Sequence, residues 1–405
     1  MIKWNSKIKT YLAKPYASFL RRQVILSLSK DNLFIQGNAD AQAHENNCPC
    51  HFITQSPNHL ITLPPFRPST LWIVSIIMLC FPQLSCTKRL ANIYPLDKTY
   101  YNESSLQHEM QQLAKTNAGF VELQTIGYTA KEQKPLYALQ IQTDLDRTPV
   151  LIVGQHHGDE VMGVEIAMAL AKHLVNSKTD AKVRQLLETY SFWIIPTLNP
   201  EAYAIVASGK HEWKRKNNTD TNHNGKLDIK TDGVDLNRNY PTFWTLDTPQ
   251  PGSSFFYKGT APASENEILA ITELADTHRF KYAFFYHSSV SGTLNEKIFL
   301  PWQDKKDKTI RADFVTMREL AEVYAAAVPK DYAPGNYIVH PGNTSKIGNS
   351  RNHFYYEYGT FAYDIEVCGA NKSGIGIVHP TSETREKLVK KNVQAIINSL
   401  IFATE

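Results

Sequence analysis

The sequence predicts an α/β domain, and three observations lead to that prediction. From residue 94 onward, short apolar segments alternate with segments of helical period, the pattern of strands and helices packed in layers. The 405 residues are 42% hydrophobic and 11% aromatic, which is enough for a sizeable core. Polar residues follow the ends of apolar strands, where such sheets carry their functional groups.

Composition narrows the classes of partner. The chain has 43 basic and 39 acidic side chains and a formal net charge of +4, which argues against nucleic acid as the main partner. The five cysteines do not form a disulfide framework, because Cys48, Cys50, Cys80 and Cys86 precede the predicted domain and Cys368 stands alone. Cys48 and Cys50 lack the second pair of ligands that a zinc knuckle needs.

The N-terminal region is predicted to lie outside the folded domain. Residues 1–68 show no sustained period, so we expect an unstructured or untranslated extension. Within the segment 69–86, the apolar run from Leu71 to Phe81 has the length of a signal-peptide core and is shorter than the roughly 20 apolar residues of a membrane span. The end of this segment, Leu84-Ser85-Cys86, resembles a bacterial lipoprotein cleavage site. We therefore expect export to the periplasm or attachment to a membrane through lipidated Cys86, with secretion, an internal anchor or a buried helix as alternatives.

The elements of the domain follow from local patterns. Ser104 or Ser105 is the predicted cap of the first helix. The polar passage 209–241 is predicted to be an ordered functional loop, because structureless loops of that length are uncommon in compact domains. The predicted helices are Ser104–Thr116, Glu160–Val175, Ala181–Thr189, Lys308–Val328 and Ser382–Ile401. The predicted strands are Val121–Ile126, Pro135–Gln142, Val150–Gly154, Ser191–Thr197, Tyr282–Tyr286 and Phe361–Val367.

Two histidines and a glutamate are candidate metal ligands. His157 and Glu160 lie between a predicted strand and a helix, and His287 follows a second apolar strand. Two imidazoles and one carboxylate leave a fourth position open on a catalytic zinc ion. The alternatives are solvated loop residues for the first pair and a hydrogen-bonded core histidine for His287.

The last predicted strand carries a candidate base. Strand alternation places Asp364 and Glu366 on one face, opposite four apolar side chains. A buried carboxylate without a partner is costly, so Glu366 is either a general base with a raised proton affinity or part of a solvated face.

The long loop contains two further candidate sites. Arg215 and Arg238 offer forked donors for a carboxylate or an oxyanion, although a basic run is also typical of a solvated surface. The passage from Asp220 to Asp228 has oxygen ligands at alternate positions and a glycine at the sixth, as in a calcium loop. Because its twelfth position is Thr231, a structural calcium ion and an Asx-rich turn both stay open. The calcium candidates are Asp220, Asn222, Asn224 and Asp228.

Seven motifs in order make the sequence similar to the zinc metallocarboxypeptidase family typified by carboxypeptidase A, and we expect a bacterial member. The motifs are His157-Gly158-Asp159-Glu160, Pro196-Thr197-Leu198-Asn199-Pro200-Glu201, Arg215-Lys216-Asn217, Gly233-Val234-Asp235-Leu236-Asn237-Arg238-Asn239, Ser264-Glu265, His287-Ser288 and Glu366. The similarity runs from Tyr94 to the C-terminus. It implies a catalytic domain over 94–405 with a mixed, twisted eight-stranded sheet flanked by helices.

The resemblance also implies roles for individual residues. His157, Glu160 and His287 would hold one zinc ion, and Glu366 would be the base that activates the bound water and protonates the leaving amine. Arg215 would stabilise the oxyanion of the scissile carbonyl. Asn237 and Arg238 would bind the terminal carboxylate of the substrate, and Asp235 would fix the tautomer of His157.

Two positions depart from the family pattern. No tyrosine lies where the family places its mobile active-site tyrosine, and Tyr337 would serve only in a rearranged loop. The position that selects the substrate side chain falls near Arg351 or Asn352, and Arg351 would favour an acidic residue or a second carboxylate on the substrate.

The substrate class has alternatives within and outside this fold. We expect a monomeric peptidase that releases C-terminal residues from peptides. A murein peptide amidase or an acyl-amino-acid deacylase on the same fold is the alternative. A non-catalytic binding module is disfavoured because all three ligands and Glu366 are present.

Overall fold

The computed structural model describes residues 28–29, 32–33, 96–142, 144, 146–304, 312–343 and 345–405. The chain divides into two compact units, Met1–Met78 and Leu79–Glu405. In the first unit, strands β1 (Leu28–Ser29) and β2 (Asn32–Leu33) pair in antiparallel fashion. The predicted hydrophobic segment 69–86 lies outside the described residues. The predicted extension 1–68 also lies outside them, apart from the residues of β1 and β2.

The second unit is built on a mixed eight-stranded sheet in the order β3-β4-β6-β5-β7-β10-β8-β9, which confirms the predicted fold class. The central strands β5, β6, β7 and β10 run parallel, and β3, β4 and β8 add antiparallel pairings. The strands are β3 Val121–Tyr128, β4 Pro135–Ile141, β5 Thr148–Val153, β6 Tyr190–Ile195, β7 Tyr282–Ser288, β8 Lys297–Phe299, β9 Ile338–His340 and β10 Phe361–Val367.

Helices cover both faces of the sheet, so the central strands are apolar on both sides. Along β5, Val150 and Ile152 join one apolar cluster, whereas Leu151 and Val153 join the other. The helices are α1 Glu103–Thr116, α2 Met162–Asn176, α3 Ala181–Thr189, α4 Pro200–Ala207, α5 Asn266–His278, α6 Ala312–Ala327, α7 Ser350–Tyr358 and α8 Ser382–Phe402. None of the described helices is long and apolar enough to cross a membrane.

Two predicted helix starts are wrong, each for a local reason. Asn102, not Ser104 or Ser105, caps α1, because its side chain accepts from the Ser105 backbone while the Ser105 hydroxyl accepts from the Asn102 N–H. Helix α2 begins at Met162 instead of Glu160. The residues before it form a tight turn, and this turn leaves the Glu160 side chain outside the helix.

Candidate active site and metal centre

A close backbone contact places the first two candidate ligands. A side chain at Gly163 would have its Cβ 1.6 Å from the Gly154 carbonyl oxygen, so only glycine permits the end of β5 and the start of α2 to touch. The turn between these glycines carries His157 and Glu160, both buried. His287 lies near the end of β7, which pairs directly with β5. The three side chains therefore meet at one edge of the sheet.

The geometry of the three side chains fits a single cation. His157 Nδ1 lies 2.9 Å from one Glu160 oxygen, and His287 Nδ1 lies 2.9 Å from the other. The two Nδ1 atoms are 3.3 Å apart. Ligands about 2.1 Å from a tetrahedral zinc ion lie about 3.4 Å from one another, close to these separations. Among the described residues, these three side chains form the only group of three or more His, Cys, Asp or Glu residues close enough together to hold a metal.

Asp235 links the metal ligands to Arg215. Its Oδ1 accepts from His157 Nε2 at 2.9 Å, which leaves the Nδ1 lone pair of that histidine for a metal. Its Oδ2 accepts from Nη2 and Nε of Arg215 at 2.9 and 3.1 Å. Although burial opposes ionisation, Arg215 and His157 hold the pKa of Asp235 well below its usual range. Arg215 Nη1 also donates to Glu160 Oε1 at 3.0 Å, so the guanidinium borders the metal position.

Asn237 and Arg238 lie on the same short loop as Asp235. The Asn237 side-chain amide lies 3.1 Å from His287 Nε2, and its oxygen accepts from the Ser350 backbone at 2.9 Å. When a metal occupies Nδ1 of His287, Nε2 carries the hydrogen, so this contact with the amide nitrogen has to change. The guanidinium of Arg238 is half-buried, and its Nη1 donates to the Asn237 carbonyl oxygen.

Glu366 lies beside the metal position, on the strand next to His287. In the parallel pairing of β10 with β7, Glu366 is directly opposite His287. Its Oε2 is buried and has no hydrogen-bond partner among the described residues. Burial, together with the charge of Glu160, raises the pKa of Glu366 to about 8. The carboxylate is thus held close to the metal position with one oxygen free for a proton.

His156 is a buried neighbour of the metal ligands whose contacts the sequence analysis did not predict. Its ring is fully buried and stacks on His287 with a centroid distance of 5.3 Å and an interplanar angle of 20°. Its Nε2 lies 2.8 Å from the hydroxyl of buried Tyr240. The spacing of His157 and Glu160 gave no signal for this contact, because it depends on the neighbouring strand.

Arg351 and Tyr337 lie in settings that the sequence analysis did not foresee. Arg351 is buried in an ion pair with Asp364, and its Nε donates to the Leu300 carbonyl oxygen at 3.0 Å. Its charge is therefore already balanced inside the protein. Tyr337 is 3% exposed and packs in the larger apolar cluster, so it does not lie over the metal ligands as a mobile side chain.

The predicted calcium loop is folded by its own hydrogen bonds. Asp228 Oδ2 accepts from the amides of Asn222 and Asn224, and Asp220 Oδ2 accepts from the Gly225 backbone. This is the arrangement of an Asx-rich turn, in which carboxylate oxygens that calcium would need are already accepting. A calcium ion at this loop stays a prediction.

The fold and the ligand geometry define an α/β protein with a site for one zinc ion. A sequence profile of the zinc carboxypeptidase family matches residues 106–393, and the chain belongs to that family. His157, Glu160 and His287 form the His-x-x-Glu and His zinc site typical of it.

Individual relatives agree with this assignment. Carboxypeptidase A2 of Mus musculus is 25% identical over 277 residues, which cover 66% of this chain and 60% of the mouse protein. The match to carboxypeptidase A2 of Rattus norvegicus covers 61% of that protein. The chain therefore spans about three-fifths of the length of these curated relatives.

Solved structures share the fold. Carboxypeptidase A from Helicoverpa armigera superposes with a TM-score of 0.63 at 18% identity, covering 75% of this chain and 74% of that one. A metallo-carboxypeptidase from Burkholderia cenocepacia gives 0.50 at 16% identity, covering 75% and 69%.

Proposed function

We propose that this protein hydrolyses the C-terminal peptide bond of peptides, with zinc as its cofactor. The observation that carries the proposal is the convergence of the three ligand atoms within 4.8 Å, beside Glu366 and two guanidinium groups. A peptidase of this kind needs a metal, a base and cations for a carboxylate and an oxyanion. The side chains that would hold the metal, the base and the cations lie at one edge of the sheet.

The protein groups divide the chemical work. A bound zinc ion supplies a Lewis acid that polarises the scissile carbonyl and acidifies water. Glu366 accepts the proton of the attacking water through its free oxygen and passes it to the leaving amine nitrogen. Arg215, held by Asp235, stabilises negative charge on the carbonyl oxygen. Arg238 and Asn237 bind the terminal carboxylate, Asn237 after releasing its contact with His287.

The alternative substrate class is a murein-type peptide, and one contact favours it. Asp364 lies two residues before Glu366, on the same face of β10. It forms a buried ion pair with Arg351. A side chain that carries both an amine and a carboxylate, as in diaminopimelate, would complement a pair that carries both charges. A lone arginine would instead favour simple acidic side chains.

Peptide release and bound zinc test this proposal together. Zinc content is measured first, and release is then compared for peptides ending in Leu, Glu and Lys and for a tripeptide containing diaminopimelate. Glu366→Gln is the control, because it should retain zinc while losing turnover. A zinc-free protein, or a control as active as the parent, would overturn the mechanism. Exclusive turnover of the diaminopimelate peptide would favour the amidase.

We further propose a bacterial origin and export through segment 69–86, with lipidation of Cys86, and a monomeric protein. The support for export and lipidation is the apolar run from Leu71 to Phe81 and the Leu-Ser-Cys end that follows it. Mass spectrometry of the mature protein tests the proposal, since residues 1–68 should be absent and Cys86 should carry lipid. A mature protein that retains residues 1–68 would contradict it.

A further inference from the structure

Two consecutive phenylalanines lie beside the candidate active site and do not pack in the hydrophobic core. Phe255 is 44% exposed, and both Phe255 and Phe256 lie outside the two apolar clusters of the described domain. Their rings contact each other edge to face with a centroid distance of 5.4 Å. A pair of partly exposed rings contributes little to folding, so their position calls for another explanation.

The segment that carries these rings is fixed at both ends. Lys216 Nζ donates to the Gly252 carbonyl oxygen at 2.7 Å on one side. On the other side, the Tyr257 carbonyl oxygen accepts from the Asp235 backbone at 2.8 Å. Asp235 also holds His157 and Arg215, so the rings are tied to the backbone that organises the metal site.

Both rings lie over the guanidinium groups of the site. The Arg215 guanidinium carbon is 5.1 Å from the Phe255 ring centroid and 5.6 Å from that of Phe256. The Arg238 guanidinium carbon is 5.5 Å from the Phe256 centroid. Phe256 therefore borders both cations, and Phe255 borders only the one next to the metal ligands. The two rings therefore line the site from Arg238 to Arg215.

We propose that Phe255 and Phe256 form an aromatic subsite for the substrate residue on the N-terminal side of the scissile bond. The proposal rests on the function proposed above and names the substrate class more closely, as peptides with an aromatic or large aliphatic residue before the last one. Such a residue stacks on the exposed ring of Phe255, while its carbonyl reaches Arg215. Each residue acts by positioning the substrate, since neither ring has a group that transfers a proton.

Matched substrates and a matched control variant test the subsite. Two acylated dipeptides share one C-terminal residue and differ in the preceding residue, Phe or Gly. Phe255→Ala should lower kcat/KM for the Phe substrate about tenfold, mainly through KM, with less than about a twofold change for the Gly substrate. Phe402→Ala removes a ring of similar exposure, 40%, at the end of α8, and should change neither value.

A binding measurement separates this inference from the proposed function. In a Glu366→Gln background, affinity for the two dipeptides is measured without turnover, and Phe255→Ala should abolish the preference for Phe over Gly. If the parent protein cleaves neither dipeptide, the proposed function fails, and the affinity difference still decides whether the subsite exists. Equal losses for both dipeptides would mean that the ring only shields Arg215, and no loss would mean that it does not meet the substrate. Either result overturns the inference. Phe255→Leu, which keeps an apolar side chain, should show an intermediate preference.

Discussion

Replacing Asp235 by asparagine should weaken zinc binding without unfolding the protein. Asp235 is completely buried; one oxygen accepts from His157 Nε2 and the Asn237 backbone, and the other accepts twice from Arg215, so the two oxygens serve different side-chain donors. An asparagine presents only one oxygen, and its NH₂ group would face either the histidine donor or the guanidinium. One donor is therefore left without its acceptor, and the tautomer of His157 is no longer fixed.

The expected loss follows from what such partners contribute. Removing the hydrogen-bond partner of a metal-bound histidine lowers metal affinity about 10- to 100-fold, equivalent to about 1.4 to 2.8 kcal/mol. Competition with a chromophoric chelator measures the zinc affinity of the variant and the parent. Asp232→Asn is the matched control, because Asp232 is a buried carboxylate of the same loop that bonds only loop groups such as Thr221 and the Asp228 backbone. Equal zinc affinity in Asp235→Asn and the parent would refute the reasoning.

Three further predictions concern carboxylates. Glu366→Gln should lower kcat by about 10²- to 10⁴-fold with unchanged zinc content, because the proton acceptor is lost; a kcat close to that of the parent would exclude the assigned role. Burial raises the pKa of Glu267 to about 8 from 4.5, so between these values the native state holds a proton that the unfolded state lacks. The free energy of unfolding should therefore fall as pH rises from 5 to 8. Glu267→Gln should remove up to about 1.4 kcal/mol per pH unit of this fall, as measured by urea unfolding. The same dependence on pH in both proteins would contradict the raised pKa of Glu267. Asp364→Asn leaves the Arg351 charge unbalanced, at a cost in stability of about 3 to 5 kcal/mol. It should raise the turnover of peptides ending in Glu relative to peptides ending in Leu. An unchanged ratio of these two turnover rates would mean that Arg351 does not contact the substrate side chain.

The sequence predicted the long, strongly periodic elements well. Strand Phe361–Val367 and helix Ala181–Thr189 have the predicted bounds, and the apolar faces of the first and last helices are buried as expected. In each of these elements the buried side chains recur with the period of the helix or strand, so the sequence pattern alone predicts the element.

The sequence analysis missed helices α4, α5 and α7 and strands β8 and β9. Helix α5 has buried side chains at helical spacing, Ile268, Ile271 and Leu274, which the analysis overlooked; the other elements are short or lack a simple period. Strands β8 and β9 have three residues each, too few for alternation to show. Helix α7 is buried around most of its circumference, with polar side chains such as Arg351 and Asn352 bonded inside the protein. Its sequence therefore has no polar face that would distinguish it from a loop.

The candidate site, like the fold, was predicted only in part. The spacing of His157 and Glu160 is local, and the similarity in seven motifs supplied the distant partners that the structure brings together. Contacts between strands had no such signal. The stacking of His156 on His287 and the pairing of Arg351 with Asp364 depend on which strands and helices are neighbours, and only the fold determines that.

The proposed function depends most on recognition of a free C-terminal carboxylate beside the zinc site. Mass spectrometry of the products from one peptide, offered with a free C-terminus and with an amidated C-terminus, measures this directly. We predict that the zinc-loaded protein shortens the free peptide by single residues from its C-terminus and leaves the amidated peptide intact. Equal cleavage of both peptides, or cleavage at internal bonds, would contradict the proposed function.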